Sequence, residues 1–268
     1  MRRGATRCRL GALLPVVLLI LPLVAACVVE ESPVQPLFSH GGIIPLPEPT
    51  RAGEMSVEEA IAGRRSVREF RSTLLDFSDL GQVLWAAQGI TQGSPAPGEG
   101  TPTPGLRAAP SAGALYPLEV YVVDGRVRGL PAGVYHYMPA EHALEQVLQG
   151  DEREALWRAA GEQDAVRDAP VTLVIAALYE RTTARYGERG RQYVHMEAGH
   201  AAENVYLQCE ALGLVTVAIG ALDEATLREA VGIPEEETPL YLMPVGLPVE
   251  AEVEGNLPRI PRIDGWSG

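Results

Sequence analysis

The spacing of apolar residues along this chain switches between the helical and the strand period, and the switch points mark its elements. Ser56-Val57-Glu58-Glu59 has the serine and the glutamate three residues later that open a helix, which the pattern carries to about Ala62. Ser78 and Asp79 start a second helix with Leu80, Val83, Leu84 and Ala87 on one face and Gly89 as its stop. Gly93 to Gly105 is rich in glycine and proline and predicts a mobile loop. Leu118–Val123 and Val134–Tyr137 predict strands, with a turn at Asp124-Gly125 between them. Further on come an amphipathic helix over 151–160, a buried strand over 171–177 and the longest helical pattern, from Tyr193 to Leu212, which stops at Gly213. An apolar strand over 215–219, a helix over 224–231 and a last strand over 240–245 complete the series. Strands interleaved with helices around one long helix predict an α+β layered domain.

The pattern also divides the chain. Arg2, Arg3, Arg7 and Arg9 precede an apolar run from Leu10 to Ala26 that is interrupted by Pro15 and Pro22, as in a secretory signal over 1–26. The run is too short and too broken for a spanning helix. Val24-Ala25-Ala26-Cys27 is similar to a bacterial lipobox, which makes Cys27 the expected acylation site and a lipid anchor the expected membrane attachment. Residues 27–52, with prolines at 33, 36, 45, 47 and 49, are expected to form a tether. The globular domain is then expected over 53–250, with a tail over 251–268.

Charge and composition narrow the chemistry. The formal charge of −13 argues against nucleic acid as a partner. The chain contains no lysine, which excludes Schiff-base chemistry and leaves arginine, hydroxyls and helix N-termini to hold any phosphate. The three cysteines, Cys8, Cys27 and Cys209, are too few for a disulfide framework, and Cys209 has the setting of a buried apolar residue.

Two segments carry candidate chemistry. Gly63-Arg64-Arg65-Ser66-Val67-Arg68-Glu69-Phe70 places three arginines and a hydroxyl beyond a helix end, a composition suited to clamping phosphate. Pro110-Ser111-Ala112-Gly113-Ala114-Leu115 is a run of small residues leading into a strand, where a flat ligand can approach the backbone. An anionic tail and a planar ring together point to flavin mononucleotide.

RRSVREF at 64–70, PSAGALYPLEVYVV at 110–123, GVYHY at 133–137, MEAGHAAENVYLQCEALGL at 196–214 and PLYLMPVGLP at 239–248 resemble, in this order, segments of the nitroreductase family of FMN enzymes. The likeness is strongest to its SagB/ThcOx-type branch, which includes oxidases of azoline rings in ribosomal peptides. It implies a mixed sheet flanked by helices, a long central helix at a dimer interface, and FMN at the subunit seam of a homodimer. Arg64, Ser66 and Arg68, with Arg65 beside them, would then grip the phosphate and ribityl chain. Residues 110–115, often supplied by the partner subunit, would lie along the ring, and the backbone at Ala218, Ile219 and Gly220 would approach it. Asn204 would hydrogen-bond near the flavin or the dimer seam. His195, Glu197, His200 and Glu203 do not have the spacing of a zinc site, and the resemblance implies no metal.

The chain departs from the branch at two places. Arg185-Tyr186 falls where azoline oxidases carry a Lys-Tyr pair, and an arginine cannot accept a proton. Leu247 stands where many relatives place a basic residue for the phosphate. The expected activity is therefore hydride transfer between FMN and a small quinone- or nitro-type molecule, with Arg185 and Tyr186 as catalytic candidates. An azoline or peptide dehydrogenase and a non-catalytic flavin- or ligand-binding lipoprotein are the alternatives.

Overall fold

A computed structural model describes residues 42–93 and 105–249. The leader, most of the expected tether, nearly all of the 93–105 loop and the C-terminal tail lie outside the described residues.

The framework is a seven-stranded sheet. Its strands are β1 (Ile43–Pro45), β4 (Leu118–Asp124), β5 (Gly133–Met138), β6 (Ala143–Gln149), β7 (Val171–Ala177), β8 (Val215–Thr216) and β9 (Thr238–Gly246), in the order β1-β6-β5-β4-β7-β9-β8. All of these ladders pair antiparallel, and a parallel bridge from Ser66 to Thr216 at the β8 edge makes the sheet mixed. A short hairpin, β2 (Ile90–Gly93) with β3 (Gly105–Arg107), lies outside it. The helices are α1 (Val57–Gly63), α2 (Phe77–Gln88), α3 (Arg153–Ala159), α4 (Asp164–Asp168), α5 (Glu180–Tyr186), α6 (Arg189–Ala211) and α7 (Glu224–Val231).

Both faces of the central strands are buried, so their side chains divide by parity. Leu118, Val120 and Val122 of β4 with Leu173 and Ile175 of β7 form one core with α2 and α6. Tyr121 and Val123 with Val174 and Ala176 form the other, against α3, α4 and α7. The long helix α6 thus lies over one face of the sheet.

Several elements differ from the sequence expectation, each for a tertiary reason. The tether does not extend to residue 52. Ile43–Pro45 pairs with β6, Ile44 and Leu46 are buried, and Thr50 exchanges two hydrogen bonds with Gln82 of α2. Pro45 is tolerated because β1 is an edge strand. Strand β6 and helix α5 carry too little period of their own and form against β5 and α6. The expected strand over 215–219 stops at Thr216, because the Ala218 N–H leaves the ladder to donate to the Tyr206 hydroxyl at 2.8 Å. The capping box of α1 is present as expected, with Glu59 N–H donating to Ser56 Oγ at 3.1 Å and Ser56 N–H to Glu59 Oε2 at 2.8 Å.

Candidate functional site

Helix α1 ends against α6: a Cβ on Gly63 would collide with the Glu210 carboxylate. The arginines that follow take different roles. Arg65 turns back and donates to the carbonyls of Ala62, Arg64 and Gly63 at 2.9, 2.8 and 3.3 Å, so it caps α1. One guanidinium nitrogen, Nη1, makes all three bonds, so this part of Arg65 is committed to the helix end. Arg64 lies over the Tyr206 ring, 5.4 Å from its centroid, and its ion pair with Glu203 is long, at 4.0 Å. Arg68 is exposed and makes no hydrogen bond or ion pair among the described residues.

Ser66 is held by a relay that the sequence did not reveal. The Tyr206 hydroxyl accepts from Ala218 N–H at 2.8 Å and shares a hydrogen bond with Ser66 Oγ at 2.9 Å, in which either hydroxyl can be the donor. When Tyr206 is the donor, the Ser66 proton is left for a ligand, beside Arg64 on the Tyr206 ring. Two forked cations and an oriented hydroxyl form a donor set for an anion of phosphate geometry. Tyr206 is only 9 % exposed, and its position one helical face away from the apolar centre of α6 is the only sequence signal that could have picked it out.

Of the backbone candidates beyond β8, two are already engaged. Ala218 N–H serves Tyr206, and Ile219 exchanges both its N–H and its C=O with Leu242 at 2.9 Å, so of the three positions expected to approach the ring only Gly220 lacks such a partner. Gly220 is exposed, and a Cβ there would only touch the Tyr241 ring at 3.6 Å, leaving the backbone open on that side. A cavity of about 260 Å³ adjoins, lined by His195, Ala198, Leu240 and Tyr241. His195 Nε2 is hydrogen-bonded to the Tyr179 hydroxyl, and Arg191 stacks on the Tyr179 ring at 4.4 Å.

The small-residue segment folds as a one-turn 3₁₀ helix at 112–114 with left-handed backbone at Gly113 (φ 64°), Ala114 (φ 53°) and Tyr116 (φ 48°). Such strain at non-glycine residues persists only when neighbours hold it. Here Tyr116 N–H donates to Ser111 Oγ at 2.9 Å, Arg181 donates to the Tyr116 carbonyl at 3.1 Å, and Arg107 N–H donates to the Tyr116 hydroxyl at 3.1 Å. Pro110 and Gly113 are exposed, Ser111, Ala112 and Ala114 are half-buried, and Leu115 points into the core, so Leu115 offers a ligand its backbone only. Arg185 and Tyr186 meet this platform: a Cβ on Gly113 would lie 2.7 Å from the Tyr186 hydroxyl and 3.1 Å from the Arg185 guanidinium. The structure therefore brings the Arg185-Tyr186 pair to the small-residue platform.

Beneath the platform lies Glu197 of α6, 2 % exposed. Burial pushes its carboxyl up to about 7, while the Ser111 hydroxyl and the Arg107 guanidinium pull it back down. Its Oε1 has no hydrogen-bond partner. Asn204, expected to hydrogen-bond near the flavin or the dimer seam, donates to the Ala86 carbonyl of α2 at 3.1 Å, on the far edge of α6 from Tyr206. Cys209 is buried, which drives its thiol pKa up and makes it unreactive. No group of three metal-ligating side chains occurs among the described residues. A cavity of about 460 Å³ between residues 47–55, α2 and the end of α6 contains no part of the clamp or platform.

Clamp and platform do not face each other within one chain. Glu197 and Tyr206 are nine residues apart on α6, which places them about 180° apart around the helix and about 13 Å apart along it.

The residues fit FMN: Arg64, Arg68 and Ser66 match its phosphate, and the open backbone at Gly220 and Gly113 suits a flat ring. The nitroreductase family model matches residues 61–247. "Putative nitroreductase MJ1384" of Methanocaldococcus jannaschii is 44% identical over 197 residues, covering 74% of this chain and 93% of that protein. The microcin B17-processing protein McbC of Escherichia coli is 33% identical over 122 residues, 42% of this chain and 44% of its own length. A crystal structure from Ralstonia eutropha, described as a putative nitroreductase, superposes with a TM-score of 0.65 at 31% identity, covering 80% of this chain and 94% of that one. The chain belongs to the nitroreductase family and is an FMN-dependent oxidoreductase.

Proposed function

We propose that this protein transfers hydride between FMN and a small quinone- or nitro-type molecule, working as a homodimer with each flavin at the subunit seam. The observation that carries the reading is the relay from Ala218 N–H through the Tyr206 hydroxyl to Ser66, beside Arg64 and Arg68. Bound FMN supplies the hydride chemistry. Arg64 and Arg68 neutralise the phosphate, and Ser66 donates to it. The platform at 110–115 supports the ring, and Tyr186, seated on Gly113, contacts substrate. Because one protomer's clamp and platform sit on opposite edges of α6, a complete pocket takes its clamp from one protomer and its platform from the other. A quinone or nitro acceptor can draw its proton from solvent, so Arg185 in place of a lysine is no obstacle.

The match to McbC favours a second reading, the dehydrogenation of azoline peptides. That reaction needs a base, and with Arg185 permanently protonated only Tyr186 is left to provide it. We further propose that Cys27 carries lipid and holds the domain outside the cytoplasm.

The deciding experiment is purification of the full chain with its flavin spectrum, followed by FMN titration of the wild type and Arg64→Ala. A yellow protein that releases FMN, with binding weakened about thirtyfold in the variant, supports the clamp; this corresponds to about 2 kcal/mol for a charge-assisted contact. Equal affinities would refute it. Turnover of an azoline peptide on the same preparation that disappears in Tyr186→Phe would favour the second reading.

A further inference from the structure

Glu197 is the one buried acid of the platform region that the proposed chemistry leaves without a role. It sits on the α6 edge beneath residues 110–115, with its Oε1 unpartnered and the Ser111 hydroxyl against the same carboxyl. The charges around it come from several elements. Arg107 of β3 is the one that acts on it, and that guanidinium is itself drawn elsewhere, donating to Gln88 Oε1 of α2 at 2.8 Å and sensing Glu119 of β4 and Arg181 of α5. Gln88 is also fully buried and is neutral. No cation is therefore committed to Glu197, and its two protonation states have different hydrogen-bonding consequences for one neighbour.

That neighbour is Ser111. Its Oγ already accepts from Tyr116 N–H, so it retains one proton to give and one lone pair to fill. When Glu197 is ionised, the Ser111 proton is best used inward, on the carboxylate. When Glu197 is protonated, the acid O–H donates to the remaining lone pair of Ser111 Oγ, and the serine proton turns outward to the face of the platform. We infer that Glu197 is a positioning residue that sets, through Ser111, whether the platform presents a hydrogen-bond donor to the ring lying on it. This rests on the proposed placement of the flavin ring along 110–115. Only a proton on Glu197 changes and the Ser111 hydroxyl rotates; no other bond is made or broken.

The raised pKa of Glu197 places the change near neutrality. The ring's pyrimidine carbonyls are acceptors, so a donor facing outward strengthens binding. FMN affinity is thus expected to be higher below pH about 7 and to fall about three- to tenfold above it, the size of one hydrogen bond.

The test is FMN titration by fluorescence quenching from pH 5.5 to 8.5, in parallel on four proteins. The wild type should show the step. In Glu197→Gln the side-chain amide permanently donates to Ser111 Oγ, so affinity should stay at the acid-side value throughout. Ser111→Ala should be flat at the weaker value, with its Tm measured alongside because the change also removes the acceptor of Tyr116 N–H. Arg64→Ala should be weaker at every pH but keep the step. A step that survives both Glu197→Gln and Ser111→Ala would overturn the inference while leaving the clamp intact. An Arg64→Ala protein that binds as the wild type does would instead refute the placement of the site. The carboxylic acid C=O band in difference infrared spectra, present at low pH and absent in Glu197→Gln, gives an independent reading of the proton on that residue. Its absence from the wild type at pH 5.5 would also overturn the inference.

Discussion

Removing one oxygen atom tests whether the Tyr206 relay is part of the binding site or only part of the fold. Tyr206→Phe keeps the ring under Arg64 and the packing of a residue that is 9 % exposed, but strips the hydroxyl that joins Ala218 N–H at 2.8 Å to Ser66 Oγ at 2.9 Å. Ala218 is half-buried and Ser66 exposed, so water can replace part of what is lost. An unpaired group costs about 1–3 kcal/mol when fully buried, and the lower half of that range applies here. In a domain of this size about 1 kcal/mol lowers Tm by roughly 2–4 °C. If the relay also orients Ser66 toward phosphate, FMN affinity should fall about three- to tenfold, because a hydroxyl free to rotate makes a poorer donor. Differential scanning fluorimetry of the apoprotein and FMN titration near pH 7 separate the two effects. A lowered Tm with unchanged FMN affinity would refute the view that the relay serves the ligand and leave it as a stitch between α6 and the β8 edge.

Three further outcomes follow from the same geometry. Gly113→Ala should lower Tm by a few degrees through the penalty of about 1 kcal/mol at φ 64° and, by displacing the Tyr186 hydroxyl 2.7 Å away, should raise KM for the acceptor; a KM equal to the wild type would take Tyr186 out of the substrate pocket. Burial raises Glu119, but its hydrogen bond to His136 at 2.8 Å and the charge of Arg181 outweigh this and hold the carboxyl below its ordinary value. Its stabilising contribution is then present above the usual carboxylate range and lost as pH falls through the lowered folded value, so Tm measured against pH should drop on the acid side and Glu119→Gln should flatten that limb. Cys27→Ser should move the full chain from the membrane to the soluble fraction or leave it unprocessed, whereas a native amino terminus that begins elsewhere without lipid in mass spectrometry would refute the anchor.

Much of this was legible in the sequence where a local rule decides the outcome. The α1 capping box, the end of α2 at Gly89 and the C-terminal glycine of α6 need only short-range chemistry, and each is found where the pattern puts it. What the pattern could not show depends on partners distant in the chain. Ile43–Pro45 has the composition of a linker and becomes a strand only because β6 offers it an edge. Arg65 is chemically indistinguishable from Arg64 until the turn after α1 directs one guanidinium back to carbonyls and the other outward over Tyr206. Tyr206 and Glu197 read as ordinary members of a long helix. Their neighbours, Ser66 and Ser111, stand more than eighty residues earlier in the sequence.

The division of roles around α6 reaches further than any single residue. The arginine segment and the small-residue segment occur in one chain, yet they do not meet within it. The helix separates them: its buried stripe turns one edge, through Tyr206, to Ser66 and the β8 end of the sheet, and the other, through Glu197, to Ser111 and the platform. A ligand as short as FMN cannot pass through the helix to touch both, and going around it would mean crossing the exposed face that carries Met196, His200 and Glu203. That face is not apolar enough to seal a pocket by itself, since Met196 is the only large hydrophobic among these three and is 54% exposed. A second copy laid along it would bring its own platform to the first copy's clamp, and the two-fold operation that does this once does it twice. Leu247 packs on the core, and in the proposed arrangement the phosphate would fall to Arg64, Arg68 and Ser66, with the platform supplied from across the seam.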